Sequence, residues 1–576
     1  MIYRTHNCEE LRIEDIGKVV ILSGWIQKLR DLGSLIFIDL RDYYGIIQLT
    51  VLKNKLQNTI ANIEKEFLIR VHGEVKKRKS INYNLSTGKI EILISKLEIL
   101  NHSAQLPFTI ENKTDGNEEN RMKYRYLDIR RAPIKNNLIF RHKISLEIRN
   151  FMSKNNFLEI ETPILINSTS EGARNFVVPS RILPKKFYHL PQSPQLFKQL
   201  LMIGGIDKYF QIVKCFRDED PRSDRQIEFT QIDCEMSFIE FDDILLFFEH
   251  FIKHLFKKMK NIELNTFKKM TYYDVLQIYG TNNPDLRIIT KLLQNHIKYL
   301  KKDFIIGINI PNYFHLNNSQ IEYILQYIKN YNNVIDNVLW IKYLKNKTFF
   351  FPKEKWKITL HNKILIQLIK YFELQPEDIL FIICGKQNHI MKILPLIQKK
   401  IYHIVNINKC NIFKPLWIID YPLFTWDIEK QKYTSFHHPF TSPKQKDIVL
   451  LLNNNITNNL NNILSQSYDL VINGVEIGSG SIRIHNQKLQ KKIFQYLGLS
   501  NTDIESEFGF FIKSFQYGTP PHGGIAFGLD RLIAVMLGEI DNMKNVIPFP
   551  KNNYGQDIMT NSPSFLTAEK IKELHL

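Results

Sequence analysis

The 576 residues carry 77 Lys and Arg against 58 Asp and Glu, a formal net charge of +19, with 44% hydrophobic and 23% charged positions. That length exceeds what one hydrophobic core can serve and predicts three or four domains. No run approaches the ~20 apolar residues of a membrane span and the first residues hold no apolar signal-peptide core, so a cytoplasmic chain with no membrane partner is expected.

The positive excess points to an anionic partner such as nucleic acid. Lys, Asn and Ile are abundant throughout, as in 453–459, and this compositional bias raises the charge by itself. The five cysteines, at positions 8, 215, 234, 384 and 410, form no CxxC pair and no zinc spacing, which predicts reduced structural thiols.

Within 1–105 the pattern predicts five short strands, at 19–26, 35–40, 45–51, 67–73 and 90–94. Five strands in that length suit a small closed barrel of the oligonucleotide-binding type. Residues 106–120 are polar and broken, a linker. Over 121–287 helical and strand patterns alternate, beginning with a helix at 137–153 and a strand at 157–163. Pro163 closes that strand and suits a sheet edge or an interface. Residues 288–415 change texture to Lys/Asn-rich helices with strands such as 337–341 and 379–383, an inserted α+β domain. The earlier pattern resumes over 416–576, and no internal repeat is present.

Three stretches carry chemistry. Tyr209–Val213 and Ile227–Ile232 predict two antiparallel strands joined by a charged loop that begins Phe216-Arg217-Asp218-Glu219-Asp220. An arginine flanked by carboxylates suits a nucleotide: guanidinium for phosphate, carboxylates for magnesium or an amine. Near the C-terminus, Pro520-Pro521-His522-Gly523-Gly524 reads as a glycine-rich loop feeding a short strand that turns at Gly528 into an apolar helix. Two loop glycines allow close approach of a flat ligand. The helix start with Arg531 makes an anion site. The 137–163 helix and strand complete the set.

In this order and spacing the three pieces resemble the three signature motifs of class II aminoacyl-tRNA synthetases, and the chain is similar to the bacterial-type aspartyl branch over nearly its whole length. The resemblance implies an N-terminal OB-fold that binds the anticodon and a catalytic antiparallel sheet with helices. It also implies a homodimer formed through 137–163. The implied reaction activates L-aspartate with ATP, aided by Mg2+, and transfers the aspartyl group to the terminal ribose of tRNA(Asp). An alternative is that tRNA(Asn) is charged as well. Asparaginyl or lysyl relatives, an RNA-binding relative without catalysis, and an asparagine synthetase of the same fold are the rivals. The insertion and Arg483 oppose the first, retention of Arg217, Glu219, Glu476 and Arg531 the second, and the barrel the third.

The resemblance also assigns residues. Arg217, Glu219, Glu476 and Arg531 would carry catalysis. Glu171, Ser193, Gln195, Lys198, Arg217, Asp233, His437 and Arg483 would hold aspartate, with Arg483 forking onto its side-chain carboxylate. Arg217, Asp218, Glu219, Gln226, Glu476 and Gly528-Leu529-Asp530-Arg531 would bind ATP, and Asp469 with Glu476 would hold magnesium. His437 and His438 would point to opposite faces of a strand, with His437 toward substrate. In the barrel, Phe37 would stack on a splayed base while Arg30 and Gln48 read base edges or backbone. Three departures stand out: Ile383-Cys384-Gly385 where the insertion's Gly-Ala-Asp is expected, Asn175 for aspartate, and Ser479 for glycine.

Overall fold

The computed structural model describes residues 3–53, 62–168, 174–220, 225–294, 304–311, 315–331, 335–344, 349–350, 362–407, 411–453 and 460–576. The chain divides into two compact units, Met1–Asn136 with Asp557–Thr560, and Asn137–Gln556 with Asn561–Leu576.

In the first unit, β1 (Val19–Asp31), β2 (Leu35–Arg41), β3 (Ile46–Leu52), β4 (Leu68–Lys77) and β5 (Ile90–Asn101) close into a barrel of order β1-β2-β3-β5-β4. Period-two alternation decides which side chains enter it. Val20, Leu22 and Ile26 of β1 and Ile36, Ile38 and Leu40 of β2 belong to one buried core. β1 runs further than its apolar alternation because it serves two neighbours: residues 19–25 pair with β4 and residues 25–31 with β2. Beyond the barrel, Phe108, Ile110 and Leu127 form a small core of their own beside two short helices, Glu118–Lys123 and Arg125–Asp128.

A long helix, α1 (Ala132–Lys154), leads onward to β6 (Leu158–Glu159), far shorter than the 157–163 strand expected. β7 (Val177–Pro179) and β8 (Phe187–His189) make a separate hairpin, followed by α2 (Gln195–Ile203), β9 (Lys208–Phe216), β10 (Glu228–Ser237), α3 (Phe241–Lys260) and β11 (Lys268–Thr271). Next come β12 (Ile289–Leu292), β13 (Phe304–Ile310), α4 (Asn318–Lys329), β14 (Ile335–Tyr343), β15 (Phe349–Phe350), β16 (Ile379–Gly385) and α5 (Gln387–Ile404). The strands β12 to β16 form their own five-stranded antiparallel sheet. β13 and β16 are continuous apolar runs because alternate residues enter different cores: Phe381 and Ile383 join one cluster, Leu380 and Ile382 another.

The chain then returns through β17 (Pro415–Ile419), β18 (Phe424–Asp427), β19 (Lys432–Ser435), β20 (Ser467–Ile472), β21 (Val475–Ile482), β22 (His522–Gly528) and α6 (Leu529–Leu537). The main sheet has eight strands in the order β11-β17-β20-β21-β22-β10-β9-β6. It is antiparallel through its six central strands, as expected, while the outermost pairings, β11 with β17 and β6 with β9, are parallel. β6 lies at the edge, where a following proline does no damage.

One helix explains how this sheet is covered. α3 buries Ile244, Leu245, Phe248, Phe251, Ile252, Leu255 and Phe256, spacings of three and four that set one apolar stripe. A reciprocal capping box between Glu240 and Asp243 starts it, and Asn261 in the left-handed region at φ 56° stops it. The ring of Phe248 packs 5.4 Å from that of Phe527 on β22. The four described cysteines, Cys8, Cys215, Cys234 and Cys384, are buried; Cys410 lies outside the described residues. Among the described residues no helix is long and apolar enough to cross a membrane.

Phe248→Ala is expected to destabilise the second unit by about 3–5 kcal/mol, as removal of a buried ring does. Phe510→Ala, at a half-exposed position, should stay within about 0.5 kcal/mol. Denaturant titration of the two variants, followed by circular dichroism, checks the contrast; equal shifts would show that the α3 stripe is not what holds the sheet.

Candidate active site

β10 presents Phe229, Gln231, Asp233 and Glu235 on one face, two residues apart, and β22 lies antiparallel beside it with Ala526 opposite Asp233 and Gly524 opposite Glu235. On the far side of β22, β21 continues the floor with Ser479 opposite Ala526 and Ser481 opposite Gly524. These small residues leave a cavity of about 290 Å3 over the sheet. Gly523 and Gly524, read from sequence as a loop, lie inside β22, and the room they leave is filled by protein. A Cβ on Gly524 would stand 2.0 Å from Glu235 Oε2, and one on Gly480 would stand 2.2 Å from the Gly524 carbonyl oxygen. Glycine at 524 is what admits the Glu235 carboxylate.

Four buried charges meet at this end of the cavity. Lys198 Nζ, from α2, lies 2.8 Å from Asp233 Oδ1 and 3.2 Å from Glu235 Oε2. Arg483 donates from Nε to Glu235 Oε1 at 2.8 Å and from Nη2 to Glu235 Oε2 at 3.1 Å. Burial pushes the Glu235 carboxyl up, but Arg483 and then Lys198 outweigh it and hold it down at about 2. Asp233 goes the other way: burial raises it, with Lys198 only partly opposing. Among the described residues its Oδ2 is buried with no hydrogen-bond partner, as are Gln195 Nε2 and His437 Nδ1. An unmet buried acceptor costs about 1–3 kcal/mol, and an ammonium group would satisfy it.

Arg483 was expected to fork onto a ligand carboxylate. Its Nε–Nη2 fork is already taken by Glu235, and Nη1, which donates to Ser481 Oγ at 2.6 Å and contacts His438 Nε2, is the remaining end. His437 and His438 follow β19 in a bend, so strand alternation does not separate them, and both line the cavity. His437 Nε2 lies 3.3 Å from Asp469 Oδ1. Burial first, then Arg483, drives His438 well below the ordinary histidine range.

The opposite end carries two further arginines, Arg217 and Arg531. Arg217 lies over the Phe229 ring at 5.1 Å, and Glu219 pairs with Arg225 at 3.0 Å. Arg531 enters from the first turn of α6 and donates to the Glu476 carbonyl at 3.2 Å, 3.8 Å from its carboxylate. Burial and then the neighbouring Asp469 raise the Glu476 carboxyl above its ordinary range. Burial would raise Asp469 too, but His437 outweighs it and lowers the group, and Tyr421 donates to its Oδ2 at 2.7 Å. Among the described residues no cluster of three or more His, Cys, Asp or Glu is set to hold a metal.

Ser193, Gln195, Lys198, Arg217, Glu219, Gln226, Asp233, His437, Glu476, Arg483, Gly528, Asp530 and Arg531, all assigned to the site through the family resemblance, line this one cavity. Asp218, Asp469 and Leu529 are not among its lining residues. Asp218 bridges Arg174 through its backbone, and Leu529 is 1% exposed in the sheet core. The Asp530 carboxylate is bound by Arg141 and by the Thr230 N–H at 3.0 Å, so it anchors α6 to α1 and β10. The Gln226 amide pairs with the Lys551 backbone in both directions, at 2.8 and 3.2 Å. Glu171 lies outside the described residues. Sequence reading passed over Glu235 and Phe229, although Asp233 marks the face of β10 they share.

The barrel carries a second polar face, described within its own unit. Phe37 lies between the buried Ile36 and Ile38 and is itself half-buried, on the outer side of β2. That position excludes it from the barrel core. The Arg30 guanidinium lies 6.0 Å from its ring centroid and donates to Asp39 at 2.7 Å and to Gln48 Oε1 at 3.2 Å. Gln48 Nε2 donates onward to Glu91 at 2.7 Å.

The family described as tRNA synthetases class II (D, K and N) matches residues 117–553, and that described as OB-fold nucleic acid binding domain matches residues 20–100. The chain is 44% identical to the aspartate--tRNA ligase of Flavobacterium psychrophilum, covering 100% of this chain and 99% of that one. It is 45% identical to that of Amoebophilus asiaticus, with 99% of each covered. In fold it resembles a putative aspartyl-tRNA synthetase from Leishmania major at a TM-score of 0.60 and 21% identity, over 95% of this chain and 93% of that one. A similar likeness holds to the asparaginyl-tRNA synthetase of Pyrococcus horikoshii, at 0.59 and 19%, over 96% and 98%. By sequence over its full length, the chain belongs to the class II tRNA synthetases of the D, K and N group, among the aspartate--tRNA ligases.

Proposed function

We propose that this aspartate--tRNA ligase activates L-aspartate with ATP in the β10–β21–β22 cavity and transfers the aspartyl group from there to tRNA. The observation that carries the placement is the unpartnered Asp233 Oδ2 beside the Lys198–Glu235–Arg483 group. An amino acid brings both an ammonium for Asp233, helped by Ser193 and Gln195, and a carboxylate for the cationic end. Lys198 and Arg483 are buried and hold two carboxylates already, so an incoming aspartate side chain meets Arg483 at Nη1, with Ser481 and His438 giving way. An amide there would leave positive charge unmet, which is how aspartate is chosen over asparagine.

Arg217 then binds the reacting α-carboxylate and α-phosphate, and Arg531, at the start of α6, takes the far end of the triphosphate. Glu219 and Gln226 border the nucleotide. The aspartate α-carboxylate oxygen attacks the α-phosphorus, the bond to pyrophosphate breaks, and the adenylate stays in the cavity until the tRNA ribose hydroxyl displaces AMP. Positioning and charge neutralisation carry the first step, in which no group exchanges a proton, while in the second the ribose hydroxyl proton passes to the departing AMP phosphate as the ester forms. Two adjoining carboxylates, one of them raised by burial and by the other, fit a divalent cation. Glu476, with Asp469 beside it, would hold Mg2+, which neutralises phosphate charge when bound.

Arg30, Phe37 and Gln48 form the anticodon face of the barrel unit, and 288–415 is an insertion within the catalytic region. Two copies pair through 137–163, where Leu146 and Leu158 are 51% and 54% exposed, the second of them on an edge strand. Sedimentation of the full chain should give a dimer, and Leu146→Asp with Leu158→Asp a monomer. A wild-type monomer at micromolar concentration would end that reading.

Aspartate-dependent ATP–pyrophosphate exchange, with asparagine and lysine as controls, tests the cavity. Arg483→Leu is expected to lose about 10³-fold in kcat/KM for aspartate, roughly 4 kcal/mol, with ATP KM much less affected. Arg531→Ala should lose roughly 10²–10³-fold in exchange while keeping tRNA affinity. Aspartate kinetics within about threefold of wild type in Arg483→Leu would remove the specificity role.

Phe37→Ala should weaken tRNA use by roughly 1–3 kcal/mol, the worth of a base–aromatic stack, and leave exchange without tRNA unchanged. Unaltered aminoacylation kinetics would strike Phe37 from the anticodon face.

A further inference from the structure

β20 and β21 are joined by the two-residue turn Asn473-Gly474, both residues in the left-handed region at φ 53° and 80°, with Ile472 paired to Val475 across it. An Asn-Gly pair suits that turn by itself. The Asn473 side chain does more than the turn requires. It is 5% exposed, its Oδ1 accepts the Lys414 N–H at 2.9 Å, and its Nδ2 donates to the Ile412 carbonyl at 2.8 Å. Pro415 lies opposite Ile472 at the start of the β17–β20 ladder, so the next step of that antiparallel register sets Lys414 opposite Asn473. The backbone has already turned away there, and the side-chain amide carries the ladder one residue further.

Ile412 and Lys414 belong to the segment by which the chain returns from the five-stranded β12–β16 sheet to the main one. The outgoing segment meets the same turn. A Cβ on Gly474 would lie 3.4 Å from Asp285 Cβ and 3.7 Å from the Asn283 carbonyl oxygen. Asp285 is itself fixed: its carboxylate takes the Arg287 guanidinium at Nε, 2.9 Å, and at Nη2, 2.5 Å. Arg287 Nη1 donates in turn to the Ile407 carbonyl at 2.9 Å, just beyond α5. Both connections between the two sheets are therefore gathered at Asn473-Gly474. Glu476 follows as the second residue of β21, opposite Val471, and the register then shifts by one residue so that Leu470 lies opposite Gly478. That bulge cuts Glu476 off from the regular part of β21 and leaves it on a short stretch whose setting comes from the turn. Arg531 donates to the Glu476 carbonyl and approaches its carboxylate.

We infer that Asn473 is a positioning residue for the activation step: it ties the β20–β21 turn to both connections and thereby sets Glu476, and through it Arg531, for the nucleotide. Asn473 is not among the cavity-lining residues, so its effect on a ligand passes through Glu476. The two groups it sets lie at one end of the cavity. The Lys198–Asp233–Glu235–Arg483 group at the other end draws on α2, β10 and the residue that follows β21. Loss of the clamp is thus felt by ATP and not by aspartate. The inference rests on the proposed reading in which Glu476 and Arg531 serve ATP.

Asn473→Gly keeps a residue that accepts the left-handed turn and deletes the amide clamp. ATP binding is measured by calorimetry on the full chain, with Mg2+ and without aspartate so that no reaction runs. Wild type, Asn473→Gly, Glu476→Gln and the double variant are compared. Asn473→Gly should weaken ATP binding about tenfold, as removal of a group that orients a ligand-binding side chain does. Glu476→Gln should weaken it too, and the double variant should bind no more weakly than Glu476→Gln alone, because both changes break one path. In ATP–pyrophosphate exchange Asn473→Gly should raise the ATP KM and leave the aspartate KM unchanged. Where glycine loosens the fold, Asn473→Asp carries the same cycle: it keeps the turn and the Lys414 bond but sets a carboxylate against the Ile412 carbonyl. Effects that multiply in the double variant, as a merely structural role would give, overturn the inference, as does ATP affinity unaltered by loss of the clamp; either leaves Glu476 with ATP. ATP affinity unaltered by Glu476→Gln would remove the nucleotide reading of Glu476, and the inference with it.

Discussion

Everything at the catalytic end of the molecule depends on Glu235 standing between Arg483 and Lys198. None of these three is exposed beyond 2%, and each charge would be untenable alone. Together with Asp233 they form two cations and two carboxylates, a neutral group that the sheet can bury. Neutrality is also what makes the pocket responsive. Among the described residues Asp233 keeps one oxygen unmet and Arg483 keeps one nitrogen turned to neutral partners, so on the proposed reading a zwitterion with a second carboxylate would find complementary charge at both places. Had Arg483 been free of Glu235, it would have swung through many rotamers and lost the directionality that a fork confers.

The phosphate end follows a different rule. Arg217 and Arg531 are not locked into buried pairs; Arg217 rests on an aromatic ring, and Arg531 makes one backbone bond and a long approach to Glu476. Cations held loosely are free to follow a phosphate that changes position and charge during reaction. On the proposed reading, selectivity would come from the rigid end and turnover from the pliable one.

Much of this was legible in the sequence, for definite reasons. The five barrel strands follow from alternation, and the residues gathered around the cavity were assigned through motifs that keep the order of the family the chain resembles. What escaped was non-local. The second half of β1 is polar and gives no period-two signal, yet it is a strand because β2 pairs with it. Gly523 and Gly524 look like a loop until Glu235 is seen to need the room. The histidine pair was placed on a strand that ends at Ser435, so its separation into inner and outer faces did not hold. Glu235 itself was within reach: it is two residues from Asp233 on the same strand, and only the absence of a motif around it kept it from notice. Asp530 lines the cavity while its carboxylate is bound by Arg141 and Thr230, a contact that no motif announces.

That carboxylate links parts of the molecule that look unrelated. Arg141 reaches it from α1, the helix that also carries Leu146 outward at 51% exposure. Asp530 is the immediate neighbour of Arg531. A stiff rod thus has one side chain gripping the base of the phosphate-binding turn and another offered to whatever covers its outer surface. If occupancy of that surface shifts α1, the setting of Arg531 shifts with it, and the energy exchanged runs equally in both directions.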